Sequence, residues 1–154
     1  MESFSLQKFR DVTGAMDDFV QDNHSESVRG VLRGLHYQIE HPQGKLLRCT
    51  QGKIWDVLVD LRKSSRTFGL SFNLMLDDPA THIWVPPGFA HGFYTLTDTA
   101  EVQYKTTDYY YPQHERSLLW SELDILWPIA HDGSPSLSKK DAEGKTFEEC
   151  EKYD

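Results

Sequence analysis

The stretch IWDVLVDL, residues 54–61, carries the strongest structural signal in the chain. In an extended strand, residues two apart share a face, so this segment has one wholly apolar face. The other face mixes Ile54 and Leu58 with Asp56 and Asp60. The pattern predicts a β-strand with aliphatic side chains on both sides.

Segments on the C-terminal side of this strand repeat the same period of two. Residues 71–76 and 101–106 alternate apolar and polar side chains, and turn-rich stretches such as DDPATH and VPPGFAHG separate the strands. Several short strands at this spacing are typical of a sandwich or barrel. We therefore predict one all-β domain over residues 1–154, with a few short peripheral helices.

The expected helices lie near the two ends of the chain. Four apolar side chains near the N-terminus are spaced as in one short amphipathic helix, and Gly14 is placed to end it. A further helical turn is predicted near residues 145–152. The apolar side chains of the first helix are Phe4, Leu6, Phe9 and Val12.

Charge and composition narrow the classes of partner. The chain has 154 residues and a formal net charge of −8 without a basic block. This argues against general binding to nucleic acid or to an anionic membrane, although a few local cations can still hold a diphosphate.

Cys49 and Cys150 do not make a disulfide framework, and the first residues lack the apolar core of a signal peptide. We predict a cytoplasmic protein.

Three segments place titratable side chains in strands that would otherwise belong to the core. They are residues 33–49 with His36, residues 85–96 with His91, and residues 101–112 with Tyr104. Any one of these side chains alone is more often a hydrogen-bonded core residue than a functional group. Their clustering favours a functional site.

A metal site is the main alternative for two histidines in a small β-barrel. The segment PPGFAHGF, residues 86–93, resembles the second histidine motif of cupins. Metal-binding cupins carry a His-x-His pair and a later acid in the first motif. Here Gln38 stands two residues after His36, and Glu40 is too close to serve as the acid. One histidine from each motif falls short of a three-ligand site, so we predict no metal.

Seven segments of the sequence resemble the dTDP-4-dehydrorhamnose 3,5-epimerase family. They span nearly the whole chain and occur in the family's order and spacing. The resemblance implies a cupin-type jelly roll, usually a homodimer, that works without a metal or organic cofactor. The segments are FVQDNHS (19–25), VLRGLHYQ (31–38), QGKLLRC (43–49), IWDVLVDLRKSSRTFG (54–69), WVPPGFAHGFYTL (84–96) and YKTTDYYYP (104–112), followed by LSKKDA (137–142).

The resemblance also implies roles for four residues. Inverting a carbon beside a ketone requires a base near neutral pKa, and His36 matches the family base. Asp141 matches the aspartate that pairs with it. Lys45 matches the cation that stabilises charge on the C4 oxygen, and Tyr104 matches the tyrosine that delivers a proton from the other face.

Further matches concern substrate binding. Arg33 fits a bidentate contact with the diphosphate. Glu2 matches a glutamate that closes an N-terminal motif, but the arginine before it in relatives has no counterpart in this sequence. The family's leading strand also has no counterpart here, so we expect a reduced dimer interface and a weaker nucleotide clamp unless the sequence starts late. The remaining ligand-contacting matches are Gln21, Asn23, His91 and Tyr110.

The predicted function is therefore epimerisation at C3 and C5 of a nucleotide-linked, dTDP-type 4-keto-6-deoxyhexose. A 3-only or 5-only epimerase, or one acting on another nucleotide sugar, stays open. A 3,4-ketoisomerase is disfavoured because the order of His36, Lys45 and Tyr104 matches the epimerases. A non-catalytic sugar-nucleotide-binding cupin is the third class.

Overall fold

Within residues 1–130 and 133–154, which the computed structural model describes, nine β-strands form two antiparallel sheets flanked by two short α-helices. The elements are α1 (Leu6–Thr13), β1 (Gln21–Val28), β2 (Leu32–Gln38), β3 (Lys45–Gln51), β4 (Ile54–Asp60), β5 (Ser71–Leu76), β6 (Ile83–Val85), β7 (Phe89–Thr95), β8 (Thr99–Thr106), β9 (Glu115–Ser117) and α2 (Lys139–Ala142).

The strands divide between the sheets in a jelly-roll arrangement. The first sheet has the order β1-β8-β3-β6, and the second has the order β5-β4-β7-β2-β9. Most neighbours within a sheet are distant in sequence, so the chain crosses repeatedly from one sheet to the other. The predicted all-β fold is confirmed.

Strand β4 shows why both of its faces are apolar. Ile54 and Leu58 join the core between the two sheets. Val57 and Val59 point to the other side, where residues near the C-terminus such as Tyr153 cover them. The sheet is thus covered on both faces, and the predicted alternation is confirmed.

Helix α1 forms where it was predicted, but Phe4 precedes it and Val12 is exposed. The Ser5 hydroxyl caps the helix by accepting from the Lys8 amide, and Gly14 ends it with a φ of 70°. Phe9 packs edge-on against Phe19 and Trp84, with ring centroids 5.0 and 4.9 Å away. Neither helix in the part of the chain that the structure describes is long and apolar enough to cross a membrane.

The helical turn predicted near residues 145–152 is present as a single turn, in which the Cys150 amide donates to the Thr146 carbonyl. A further helix, α2 at Lys139–Ala142, was not predicted; the hydroxyl of Ser138 caps it. A four-residue helix is too short to produce an apolar periodicity, so its position is not visible in the pattern.

Asp60, at the end of β4, organises the loop that leads to β5. Its buried carboxylate accepts from the Arg62 backbone and guanidinium and from the Thr67 hydroxyl, at 2.6–3.0 Å. The Arg62 guanidinium also lies over the Phe89 ring, 4.6 Å from its centroid. Burial alone would raise the pKa of Asp60, but these hydrogen bonds lower it far below its ordinary value.

We predict that Asp60→Asn lowers the unfolding free energy by about 2–4 kcal/mol at pH 7, because buried donors lose a charged acceptor. A depressed carboxyl pKa stabilises the folded state above the unfolded value of about 3.9 and loses that effect as pH falls. Urea titrations should therefore show the wild type approaching the variant from about pH 5 to about pH 2. Asp98→Asn is the control, because that side chain is 95% exposed in its pair with Arg29. Equal losses in both variants at pH 7 would contradict the prediction.

Candidate active site

His36 and Asp141 form the centre of the candidate site, although they lie 105 residues apart in the chain. His36 is on β2, Asp141 is in α2, and the His36 Nε2 lies 2.5 Å from a carboxylate oxygen of Asp141. An ionised carboxylate only accepts, so Nε2 carries the proton and Nδ1 keeps its lone pair. Burial would raise the pKa of Asp141, but the hydrogen bond and charge of His36 lower it. The structure thus brings the two residues of the predicted pair together, with Nδ1 of His36 in the form that can accept a proton.

A close approach of two backbones sets the position of His36. Arg33 lies opposite Phe93, but His36 lies opposite His91, so β2 carries one extra residue against β7. Within this bulge Gly34 has a φ of 112°, and a Cβ there would lie 2.6 Å from the Cα of Gly92. Only glycine fits, and the bulge brings the two histidines side by side.

Tyr104 lies in the opposite sheet, on the face of β8 that packs against the interior core. Its register partners on either side are Asn23 and Leu47. Burial raises the pKa of Tyr104 and the Glu115 carboxylate raises it further, while Arg33 opposes them. The phenol therefore stays protonated at neutral pH, which is the state needed in a proton donor.

Lys45 belongs to the neighbouring row of the same sheet, together with Thr106 and Gln21. Burial lowers the pKa of Lys45 to about 8, while the carboxylates of Glu115 and Asp56 act in the opposite direction. The ammonium group therefore remains charged at neutral pH. A cation in this low-dielectric interior can stabilise a developing oxyanion.

His91 forms a second histidine–carboxylate pair deeper in the second sheet. Its Nε2 lies 2.8 Å from Asp56, whose side chain is fully buried. Burial raises the pKa of Asp56, and His91 and Lys45 counteract it. The structure thus places the predicted ligand-contacting His91 beside His36, with one nitrogen already engaged.

The remaining predicted binding residues surround this interior. Arg33 is exposed, and its guanidinium links β2 to β1 by donating to the Ser27 hydroxyl at 2.8 Å and to the Glu26 carbonyl at 3.2 Å. The side-chain amide of Gln21 donates to that of Asn23 at 3.0 Å. The Tyr110 hydroxyl reaches the carboxylate of Glu115 at 3.0 Å.

Glu115 is a member of this cluster that sequence reasoning missed. It accepts from Lys140 of α2 at 2.9 Å, and burial of its carboxylate is outweighed by that bond and by His36, which lower its pKa. Strand β9 has three residues, so no alternation in the sequence marks its inward face. Asp56 did carry a signal, because an acid interrupts an otherwise apolar strand.

Glu2 lies apart from the interior cluster. It is exposed and pairs with Lys8 at 2.7 Å, next to His82 and Trp84 on the outer side of the first sheet. Its predicted contact with a substrate stays a prediction.

A metal ion at the two histidines would need at least one further ligand. Among residues 1–130 and 133–154, no three His, Cys, Asp or Glu side chains are arranged to hold one. His36 and His91 each bond one carboxylate through Nε2, at 2.5 and 2.8 Å, which orients the rings. The donor set fits proton transfer better than metal coordination.

Comparison with known proteins gives a consistent result. The family model for dTDP-4-dehydrorhamnose 3,5-epimerase matches residues 1–149. The dTDP-4-dehydrorhamnose 3,5-epimerase of Pseudomonas aeruginosa is 49% identical over 97% of this chain and 83% of its own length. That of Shigella flexneri is 48% identical over 99% of this chain and 85% of its own length.

Solved structures agree with the sequence comparison. The structure of a dTDP-6-deoxy-D-glucose-3,5-epimerase from Legionella pneumophila, in complex with dTDP-4-keto-L-rhamnose, superposes with a TM-score of 0.92 at 43% identity. The match covers 97% of this chain and 80% of that one. A 3'-monoepimerase from Streptomyces bikiniensis, in complex with dTDP-quinovose, gives 0.85 at 35% identity, over 96% and 75%.

We predict that the purified protein contains no stoichiometric metal and retains none after incubation with zinc and desalting, as measured by inductively coupled plasma mass spectrometry. The reason is that the two histidines lack a third ligand, since no three His, Cys, Asp or Glu side chains in the part of the chain that the structure describes are arranged to hold an ion. One retained ion per chain that disappears in His36→Ala would revive the metal-cupin alternative.

Proposed function

The chain belongs to the dTDP-4-dehydrorhamnose 3,5-epimerase family, and we propose how its interior site performs the reaction of that family. The protein is an isomerase that epimerises C3 and C5 of a dTDP-linked 4-keto-6-deoxyhexose in rhamnose biosynthesis. The observation that carries the assignment of residues is that His36, paired with Asp141 of α2, lies on one sheet and Tyr104 on the other. A sugar ring between them meets a base on one face and an acid on the opposite face.

The proton transfers follow from these positions. Nδ1 of His36 removes the C–H proton next to the C4 ketone, and the electron pair moves to the C4 oxygen as an enolate. The Lys45 ammonium stabilises that oxyanion. The Tyr104 hydroxyl then gives its proton to the carbon from the opposite face, which inverts it. Exchange with solvent returns the proton to Tyr104 and removes it from His36, and the second carbon follows the same path.

Binding groups lie around this centre. We assign Arg33 to the diphosphate, because its anchored guanidinium keeps further N–H groups for an anion. Gln21 and Asn23 line the first sheet next to Tyr104, and Tyr110 and His91 contact the sugar nucleotide. Arg33 is the main cation available for the diphosphate, since Lys45 serves the C4 oxygen.

Assembly and location belong to the same proposal. We propose a cytoplasmic homodimer without a nucleic-acid partner or a cofactor. The family resemblance supports the dimer, and the position of Glu2 on the outer side of the first sheet allows it to reach a second subunit. The free thiols of Cys49 and Cys150 fit a reducing compartment.

A second candidate is a single-centre epimerase. The similarity to a 3'-monoepimerase favours keeping it. Proton NMR in D2O with dTDP-4-keto-6-deoxyglucose decides the question. Deuterium at C3 and C5 supports the proposed function, deuterium at one carbon supports the single-centre enzyme, and no deuterium at either carbon would mean a binding protein.

We predict that His36→Ala abolishes deuterium uptake at both carbons and leaves the Kd for dTDP within about threefold, because the imidazole acts mainly in proton transfer. NMR exchange and calorimetry measure the two effects. His24→Ala is the matched control, because that histidine is half-exposed and pairs with Glu101 on the outer face of the first sheet. Substantial exchange in His36→Ala would remove it from the role of base.

Tyr104→Phe separates proton removal from inversion. The variant keeps the ring and loses the hydroxyl, so His36 can still remove a proton and return one to the same face. We predict that deuterium exchange persists while inverted product falls by about 10²–10⁴-fold, the usual contribution of a positioned acid. Tyr94→Phe, on the outward side of β7, serves as the control and should behave as the wild type.

If Tyr104→Phe instead forms inverted product at close to the wild-type rate, Tyr104 is a packing residue. The acid would then have to be sought elsewhere, with Tyr110 tested next.

A further inference from the structure

Gln38 is a buried polar side chain to which the reaction assigns no role. It lies on β2, two residues after His36, and is 3% exposed. Its amide uses both donors and its acceptor. Nε2 donates to the carbonyls of His41 at 2.8 Å and Tyr109 at 3.1 Å, and Oε1 accepts from the Tyr111 amide at 2.7 Å.

Two of these partners are the peptide groups on either side of Tyr110. The carbonyl of Tyr109 and the amide of Tyr111 belong to the segment between β8 and β9, and Gln38 holds both at once. The third partner, the carbonyl of His41, lies in the loop after β2, and the His41 ring stacks on Tyr111 at 4.2 Å. One amide therefore ties together the two loops next to the site.

We propose that Gln38 is a positioning residue that fixes Tyr110 against the sugar-nucleotide site. The inference rests on the proposed function, in which Tyr110 contacts the substrate. Tyr110 is 48% exposed, so burial of its ring does little to order it. Its order comes from hydrogen bonds: its hydroxyl bonds Glu115 at 3.0 Å, its amide donates to Gln21 at 3.3 Å, and Gln38 holds its flanking peptides.

The geometry demands a glutamine. The three hydrogen bonds of Gln38 need two donors and one acceptor in one planar group, at the end of a side chain with two methylene carbons. Glutamate has the same shape but turns a carboxylate toward two carbonyl oxygens, and asparagine is one carbon shorter. Gln38 also lies opposite its register partner Glu115, whose carboxylate accepts a hydrogen bond from the Tyr110 hydroxyl. Backbone and side chain of Tyr110 are thus held by one pair of opposed residues.

The position has a second significance. It is the one at which metal-binding cupins carry the second histidine of their first motif. In this chain the inward-facing side chain at this position, Gln38, holds two loops instead, and its amide nitrogen and oxygen are both hydrogen-bonded to backbone groups.

The test is a double-mutant cycle with dTDP-4-keto-6-deoxyglucose as substrate. Gln38→Met keeps the length and loses the hydrogen bonds, and Gln38→Glu keeps the shape and reverses the polarity. We expect KM, and the Kd for the product dTDP-4-keto-L-rhamnose, to rise about tenfold, which corresponds to the loss of roughly one net hydrogen bond. The kcat should stay within about threefold of the wild-type value. In a Tyr110→Ala background the same substitutions should change KM by less than about twofold, because the residue they position is gone.

Gln43→Met is the matched control. Gln43 also joins the two loops, through the Asp108 carbonyl at 2.9 Å, but it does not touch the peptides beside Tyr110. If Gln38 served only to stabilise the fold, its variants would show a lower kcat at unchanged KM. Partial unfolding lowers the number of active molecules but leaves the substrate affinity of the folded molecules unchanged. That result, unfolding of both Gln38 variants, or a rise in KM that persists in Tyr110→Ala, would overturn the inference. A wild type that exchanges no deuterium would instead overturn the proposed function.

Discussion

The hydrogen bond between His36 and Asp141 is the constraint on which the site depends. It joins a strand of the second sheet to a four-residue helix more than a hundred positions later. Such a helix has little stability of its own, so its attachment comes from partners. Ser138 caps it, Lys140 pairs with Glu115 on β9, and Asp141 itself is buried against His36. The same contacts that hold the helix therefore orient the imidazole and define which of its nitrogens is free.

The two sheets divide the chemistry between them. The second sheet holds the base and a second, deeper histidine–carboxylate pair, whereas the first holds Tyr104 and Lys45 in adjacent rows. Burial acts on these two in opposite senses: it raises the pKa of the phenol and lowers that of the ammonium to about 8. Both nevertheless carry their protons at neutral pH. Glu115 limits the fall for Lys45 and strengthens the rise for Tyr104, so one carboxylate tunes two groups.

Local patterns predicted the parts of this structure that depend on neighbouring residues. The alternation at residues 54–61 and the glycine after α1 are of this kind, and both are confirmed. The pairing of His36 with Asp141 could not be read from periodicity, because it joins distant segments, and only family resemblance indicated it. Glu115 and the loop attachment of Gln38 were missed for a related reason. Each acts through backbone groups or side chains that only the assembled sheets bring close.

The most direct test of this account is a crystal structure of the protein with dTDP-4-keto-L-rhamnose bound. We expect the sugar ring to lie between the sheets, with His36 Nδ1 and the Tyr104 hydroxyl on opposite faces and each within about 3.5 Å of a ring carbon that is inverted. The Lys45 ammonium should point at the C4 oxygen. A sugar bound outside the barrel, or with His36 and Tyr104 on the same face of the ring, would contradict it.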